Sequence, residues 1–586
     1  MKKKTLHILK RRYMRCFYMD VETCRKQILS EDYWDFIISE GGGKAKLPLP
    51  PEEPCYQKAG EGFEMVYLER SLVCPINYQK YVYNSIPKCY ALEDMDAMNA
   101  AGVSQVQYYP SLELMGEGIM VGFIDTGIDY TIDVFRNLDG TTRIAGIWDQ
   151  TIQTGNLPEG FGYGSAYTEE EINEALKSET PKELVPTEDA EGHGTYLASI
   201  ACGSGNEENR FLGAAPESTI AMVKLKPAKK YIREFYGISY ETKCYQENDI
   251  MLGVGYLKKL ADSYGMPLVL CVALGTNFGG HTGSSALAVM LQVSANTSNR
   301  IVITGTGNEA NQRHHYQGQL DGEESERNVE VQVGDGVEAF SLEIWTDVPN
   351  LISISVVSPS GEVLPQLSVR QGRAFSFRFV FERTEAFVDN QIVTRFSSSQ
   401  LIFMRFREPV PGIWKIIVEP LRQTGGTFHI WLPIKEFMTG EVIFLKSNPN
   451  TTLTEPSAAE SVITVSHYNG KENSIDINSG RGYTRHEAVK PDFAAPGVDV
   501  TGALPGGRFA SRTGSSAAAA VTAGASALLA EWLLQQNSRF LGYNTMQLKG
   551  LFILGAVRRP DLEYPNREWG YGTLNLYETL RTIREL

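Results

Sequence analysis

Apolar residues along this chain fall into two alternating patterns. Near-continuous apolar runs of strand length occupy 119–124, 268–273, 301–304 and 461–465. Such runs predict strands buried on both faces, as in a parallel sheet. Between the first two, Ile250, Val254, Leu257 and Leu260 recur on one helical face, with Asn248 a candidate N-cap and Gly265 a stop. Residues 284–296 predict the next helix, and another apolar helix follows Ser516 through Leu528, Leu529 and Trp532. Strands alternating with helices predict an α/β fold built on a doubly wound parallel sheet.

Two regions break this pattern. Near the start, 33–38 and 64–68 read as strands around the flexible Gly41-Gly42-Gly43 and Pro48-Leu49-Pro50-Pro51. Between roughly 325 and 440, short strands at 339–345, 351–357, 401–406 and 412–418 are punctuated by Pro359-Ser360-Gly361 and by the turn from Pro409 to Gly412. Regular short strands of this kind predict an inserted β-sandwich or jelly roll, long enough to fold as its own unit.

Composition narrows the class. The 586 residues are 42% hydrophobic and 21% charged, ordinary for a globular protein of several domains. A net charge of −15 argues against nucleic acid or an anionic membrane as a main partner. No stretch of about 18 consecutive apolar residues occurs, so no membrane span is expected. Arg11, Arg12 and Arg15 interrupt any signal-peptide apolar region after the basic Met1-Lys2-Lys3-Lys4, so synthesis in the cytoplasm without a signal peptide is expected. Eight scattered cysteines with no CxxC pair suggest reduced thiols rather than a disulfide framework.

The chemistry lies where strands and helices meet. Asp125-Thr126-Gly127 ends an apolar run, which puts a carboxylate at the carboxyl end of a buried strand. His193 sits between Gly192 and Gly194, ahead of small and apolar residues that suit a buried helix. Ser516 lies among small residues at a loop-to-helix junction, where free N–H groups favour developing negative charge. Each segment alone has a bland reading as a turn cap, an idle histidine or close helix packing. Together Asp125, His193 and Ser516 supply a nucleophile, a base for its proton and a carboxylate that fixes the base's tautomer. Asn308, after Gly305-Thr306-Gly307 at the end of another strand, offers a side-chain amide to a tetrahedral oxyanion.

At these residues the chain resembles the subtilisin-like serine proteases, whose triad runs in this order. Asp125-Thr126-Gly127, Gly192-His193-Gly194-Thr195, Gly307-Asn308 and the serine loop match, as does Lys490-Pro491-Asp492-Phe493-Ala494-Ala495-Pro496-Gly497. Ala273-Leu274-Gly275 resembles the edge strand on which that family pairs substrate backbone, with Gly305 a further substrate-binding position. The serine loop departs from the family pattern at Ser515, usually threonine, and Ala520, usually proline. The missing proline, Tyr83-Asn84-Ser85-Ile86-Pro87-Lys88 and Ile147-Trp148-Asp149-Gln150 are similar to the clostridial Csp germination proteases.

The resemblance implies an organisation: 1–95 an α+β prodomain acting as intramolecular chaperone, 96–324 the first part of the catalytic domain, 325–440 the inserted sandwich, and 441–586 the second part. Gly102-Val103-Ser104-Gln105 resembles the start of a mature chain, which puts processing at 90–96, spanning Tyr90, Met95 and Asp96. Residues 158–164, rich in glycine, read as a surface rim near the cleft. Implied partners are a protein substrate, the prodomain as bound inhibitor, and related Csp-like proteins. No acidic loop has the ligand density of a dedicated calcium site, so no metal or cofactor is expected and calcium dependence stays open. Two readings remain: an active endopeptidase, spore-associated and activating a cortex-lytic zymogen as some Csp proteases do, or a catalytically quiet Csp-like signalling or scaffold protein.

Overall fold

Nine strands form the central sheet, in the order Ser474–Ile475, Ile463–Asn469, Arg300–Gly305, Leu268–Val272, Met120–Asp125, Thr219–Lys224, Ile144–Asp149 and Ser165–Thr168, with Phe493–Pro496 also paired to Ile463–Asn469. The six inner strands run parallel, and the antiparallel strands lie at the margins. This computed structural model describes residues 21–585 except 40–46, 49–53, 79, 93–98, 110–111, 321–325, 366–373, 394–397, 422–425 and 537–541.

The unbroken apolar runs are explained by burial on both faces. Val121, Phe123, Val269, Cys271, Ile301 and Ile303 enter a core shared with helices His193–Cys202 and Ser515–Gln535. Their alternates Met120, Ile124, Leu268, Leu270 and Val302 enter a second core with helices Glu247–Tyr264 and Ala286–Ala295. The expected doubly wound sheet is therefore present. Glu247–Tyr264 ends at Gly265 in the left-handed region, as expected, but its N-cap is Gln246 rather than Asn248. Asn248 is buried and donates instead to Asp35. Among the described residues, helix Ser515–Gln535 is long and apolar enough, by length and composition alone, to cross a membrane. Its apolar window is 94% buried, so the composition reflects a core position.

The N-terminal unit is α+β: helix Val21–Leu29 and the antiparallel sheet Tyr33–Ser39, Phe63–Glu69, Cys55–Gly60. Cys24 and Cys55 form a disulfide across it, correcting the expectation of reduced thiols throughout. Their separation of 31 residues carries no spacing signal; the helix packing across the sheet brings them together. The unit rests on helix Glu247–Tyr264, where Gly255 allows the approach: a Cβ there would lie 2.4 Å from the Ala59 carbonyl oxygen. The segment 158–164 also faces this unit, with Gly162 N–H donating to Gln57 and Phe161 and Tyr163 buried. That corrects its reading as a rim of the cleft.

Two buried ion pairs cross between the N-terminal unit and the α/β domain. Lys229 contacts Asp35 at 2.5 Å and Lys88 contacts Glu247 at 3.4 Å, with every side chain 4% exposed or less. Asp35 also accepts from Gln246 and Asn248, so its charge is hydrogen-bonded as well as paired.

The inserted strands form two facing antiparallel sheets, one of six strands and one of five, around a core that includes Trp414, Phe406 and Ile430. Its bounds are wider than 325–440: the first strand begins at His315 and the last ends at Phe444. The six-stranded sheet is not solvated on its outer side. Trp345, Leu401, Phe403 and Trp431 pack there with Tyr78, Tyr83, Tyr231, Tyr236 and Phe278, in one core shared by all three units. Within it Glu343 accepts from Tyr83 and Trp345 side chains and Gly279 N–H, and burial holds its carboxyl above the usual range.

Lys229→Met leaves the Asp35 carboxylate buried without its cation, so it lowers unfolding free energy by about 3–5 kcal/mol in urea titration. Asp35→Leu combined with Lys229→Met recovers most of that loss, because the desolvation cost disappears with the charge.

Candidate active site

Asp125 is the last residue of Met120–Asp125, and its Oδ1 accepts from Thr126 N–H at 2.7 Å and the Thr126 hydroxyl at 3.1 Å. Both carboxylate oxygens lie 2.9 Å from Nδ1 of His193. His193 is the first residue of its helix, following Gly192, which adopts the left-handed region at φ 77°. Gly194 must lack a side chain, since a Cβ would stand 2.2 Å from the Gly127 carbonyl oxygen and 3.1 Å from Asp125. Asp189 secures this turn by accepting from Gly192 N–H, Thr195 N–H and the Thr195 hydroxyl at 2.7–2.8 Å. Sequence reasoning missed Asp189; an Asp three residues ahead of the histidine's glycine, close enough for its carboxylate to accept that glycine's N–H, is the available signal.

Ser516 lies in the first turn of Ser515–Gln535. That helix packs on His193–Cys202: a Cβ on Gly524 would stand 2.8 Å from the Ala201 carbonyl oxygen. Ser515 packs against Gly305 and His193 bonds Asp125; Gly305 and Asp125 end two strands that both run parallel to Leu268–Val272, so the two helix N-termini open at one end of the sheet. Ser516 Oγ is buried and makes no hydrogen bond, so the structure joins Asp125 to His193 but does not close a serine–histidine bond. Such bonds are often long outside the substrate complex.

Asn308 is oriented chemically. Its Oδ1 accepts the Ser515 N–H at 3.1 Å, so the amide donor end faces away from Ser515. Gly307 N–H donates to Ser515 Oγ at 3.0 Å, linking the same loop a second time. Gly305 lies beneath this loop: a Cβ there would be 2.7 Å from Ser515 Oγ. Its absent side chain makes room for Ser515, the residue that replaces the family's threonine.

The edge strand Leu274–Gly275 follows the buried Ala273 and is occupied. Strand Cys89–Leu92 pairs with it antiparallel, Leu92 opposite Leu274 and Ala91 opposite Gly275, and pairs on its other side with Tyr245–Gln246. Tyr90 lies in this strand; Met95 and Asp96 lie outside the described residues. Glu455 supports the floor: its backbone pairs with Thr276, and burial pushes its carboxyl up to about 7. Among the described residues no cluster of three or more His, Cys, Asp or Glu side chains is arranged to hold a metal.

The model of the subtilase family matches residues 116–399 and 438–572. The chain belongs to the subtilase family. This subtilase is similar to the CspB protease of Clostridium perfringens, at 32% identity and a TM-score of 0.73, over 83% of this chain and 99% of that one. It is also similar to the subtilisin-like proteases SBT2.1 and SBT2.2 of Arabidopsis thaliana, 31% identical over 135 and 129 residues respectively. Those matches cover 19% of this subtilase and span 15% of each plant protein.

Asn308→Ala removes the amide without disturbing a core side chain. Turnover of a peptide substrate should fall about a hundredfold or more, with the far-UV spectrum unchanged. An unaltered turnover number would exclude Asn308 as an oxyanion donor.

Proposed function

We propose that this subtilase is an active serine endopeptidase that cuts its own N-terminal unit, a prodomain, within 90–96. The observation that carries the reading is the antiparallel seat of Cys89–Leu92 on Leu274–Gly275. Main-chain pairing on an exposed edge is how proteases and other peptide binders hold an extended chain, largely independent of its sequence. A segment paired on that edge is held as an extended substrate would be, which supports the reading.

In this reading His193 takes the proton from Ser516 Oγ as that oxygen attacks the carbonyl carbon. Asp125, already bonded to Nδ1, fixes the ring's orientation and tautomer and stabilises the imidazolium that forms. The carbonyl oxygen becomes an oxyanion, met by the Asn308 amide and the N-terminus of Ser515–Gln535. His193 then protonates the leaving amine, and water repeats the sequence to release the acyl group.

The likeness to the C. perfringens CspB protease supports a role in activating a cortex-lytic zymogen during spore germination. Protein substrates and Csp-like proteins are the partners this role requires. The alternative, a catalytically quiet Csp-like scaffold, differs in whether the Ser516–His193 bond, absent here, forms when substrate binds.

A fluorophosphonate probe separates them. After mild proteolysis to clear the groove, wild type labels at Ser516, and Ser516→Ala and His193→Ala do not. Labelling mapped to Ser515, with peptide hydrolysis surviving in Ser516→Ala, would overturn the assignment. No labelling of a folded, cleared wild type would support the scaffold.

A further inference from the structure

Cys89 opens the strand that the N-terminal segment lays in the groove, opposite Gln246 of the neighbouring edge. Cys244 immediately precedes that edge, Tyr245–Gln246. Both are free thiols, 0% and 1% exposed, in one buried core, and the strand register sets Cys244 two residues ahead of Gln246, the partner of Cys89. One lies upstream of the proposed cleavage region and the other in the α/β domain. A bond between them would join parts of the chain that cleavage separates.

We propose that Cys89 and Cys244 are a redox-responsive dithiol whose disulfide fastens the N-terminal segment into the substrate groove. The consequence for activity rests on the prodomain reading above; the disulfide itself does not. In the reduced state, cleavage leaves the segment held only by noncovalent contacts. In the oxidised state the cut segment stays covalently attached beside the catalytic residues and keeps excluding substrate.

The pair is chemically asymmetric. The hydrogen bond from Cys89 and the nearby Arg233 guanidinium lower the Cys244 thiol, while burial raises Cys89 well above the usual range. The exchange balances whichever thiol attacks first; Cys244, beside Arg233, is taken as the attacking thiolate. Its thiolate displaces one thiolate from a low-molecular-weight disulfide and forms a mixed disulfide. Cys89 loses its proton, attacks the Cys244 sulfur and displaces the second thiolate. Two protein thiols are oxidised to one disulfide, and the small disulfide is reduced to two thiols.

The test uses full-length Ser516→Ala, which cannot cut itself, treated with oxidised glutathione and digested without reduction. Mass spectrometry should find the Cys89 and Cys244 peptides joined in most of the chain, with Cys202 and Cys271 still free. The cross-link disappears in Cys89→Ser and in Cys244→Ala, and dithiothreitol reverses it. In wild type, the oxidised fragments migrate as one band without reductant and as two with it. Adducts on the exposed Cys74 aside, glutathione on Cys89 or Cys244 without a cross-link would overturn the proposal, as would no cross-link when the same oxidant fully oxidises the unfolded chain. Wild type that yields no fragments under reducing conditions would sink the prodomain reading, while the cross-link in Ser516→Ala still decides this one.

Discussion

A strand placed inside a protein must satisfy its backbone on both sides, and that requirement organises this molecule around Cys89–Leu92. Tyr245–Gln246 and Leu274–Gly275 are each only two residues long and do not pair with each other; the N-terminal segment completes both. The groove between them continues from Leu268–Val272, whose neighbour Met120–Asp125 ends in Asp125. Sheet geometry therefore fixes the seat of an extended peptide relative to the Asp125–His193 pair, before any side chain of that peptide is considered.

Several interactions hold the segment upstream of this pairing. Lys88, the residue before the strand, is buried against Glu247 and lies 4.4 Å from the Tyr83 ring. Tyr83 in turn reaches Glu343 of the sandwich. Such groups are costly to bury singly and tolerable only as a matched set. Cutting a peptide bond beyond Leu92 leaves every one of these contacts intact. Under the proposed autoprocessing, cleavage and release would be separate events, with the inserted sandwich acting on the second through the aromatic core it shares with both other units.

The α/β core was legible because burial on both faces of a strand leaves a local trace, an unbroken apolar run. The places of Asp125, His193, Ser516 and Asn308 at strand ends and helix starts were legible because such junctions need small residues, and Gly194 and Gly305 show the steric reason. The four sandwich strands read from the sequence all lie in strands, yet His315–Leu320 and Gly426–Trp431 escaped notice because glycine, histidine and glutamine interrupt their alternation. What stayed hidden was nonlocal. Cys24 meets Cys55, and Asp35 meets Lys229, only once separate units dock. Nor did any local pattern mark Asn248 as a buried donor rather than a cap, because its partner lies over two hundred residues away, at |i−j| = 213.

The account turns on whether the chain in the groove is a substrate of its own catalytic residues. Intact-mass analysis of freshly folded wild type beside Ser516→Ala tests this most directly. A positioned bond replaces a bimolecular encounter, so the rate should not depend on protein concentration. Wild type should resolve into two fragments with the new terminus between Leu92 and Asp96, at the same rate across a hundredfold dilution, while Ser516→Ala stays whole. Folded wild type that remains a single uncut chain would contradict the account.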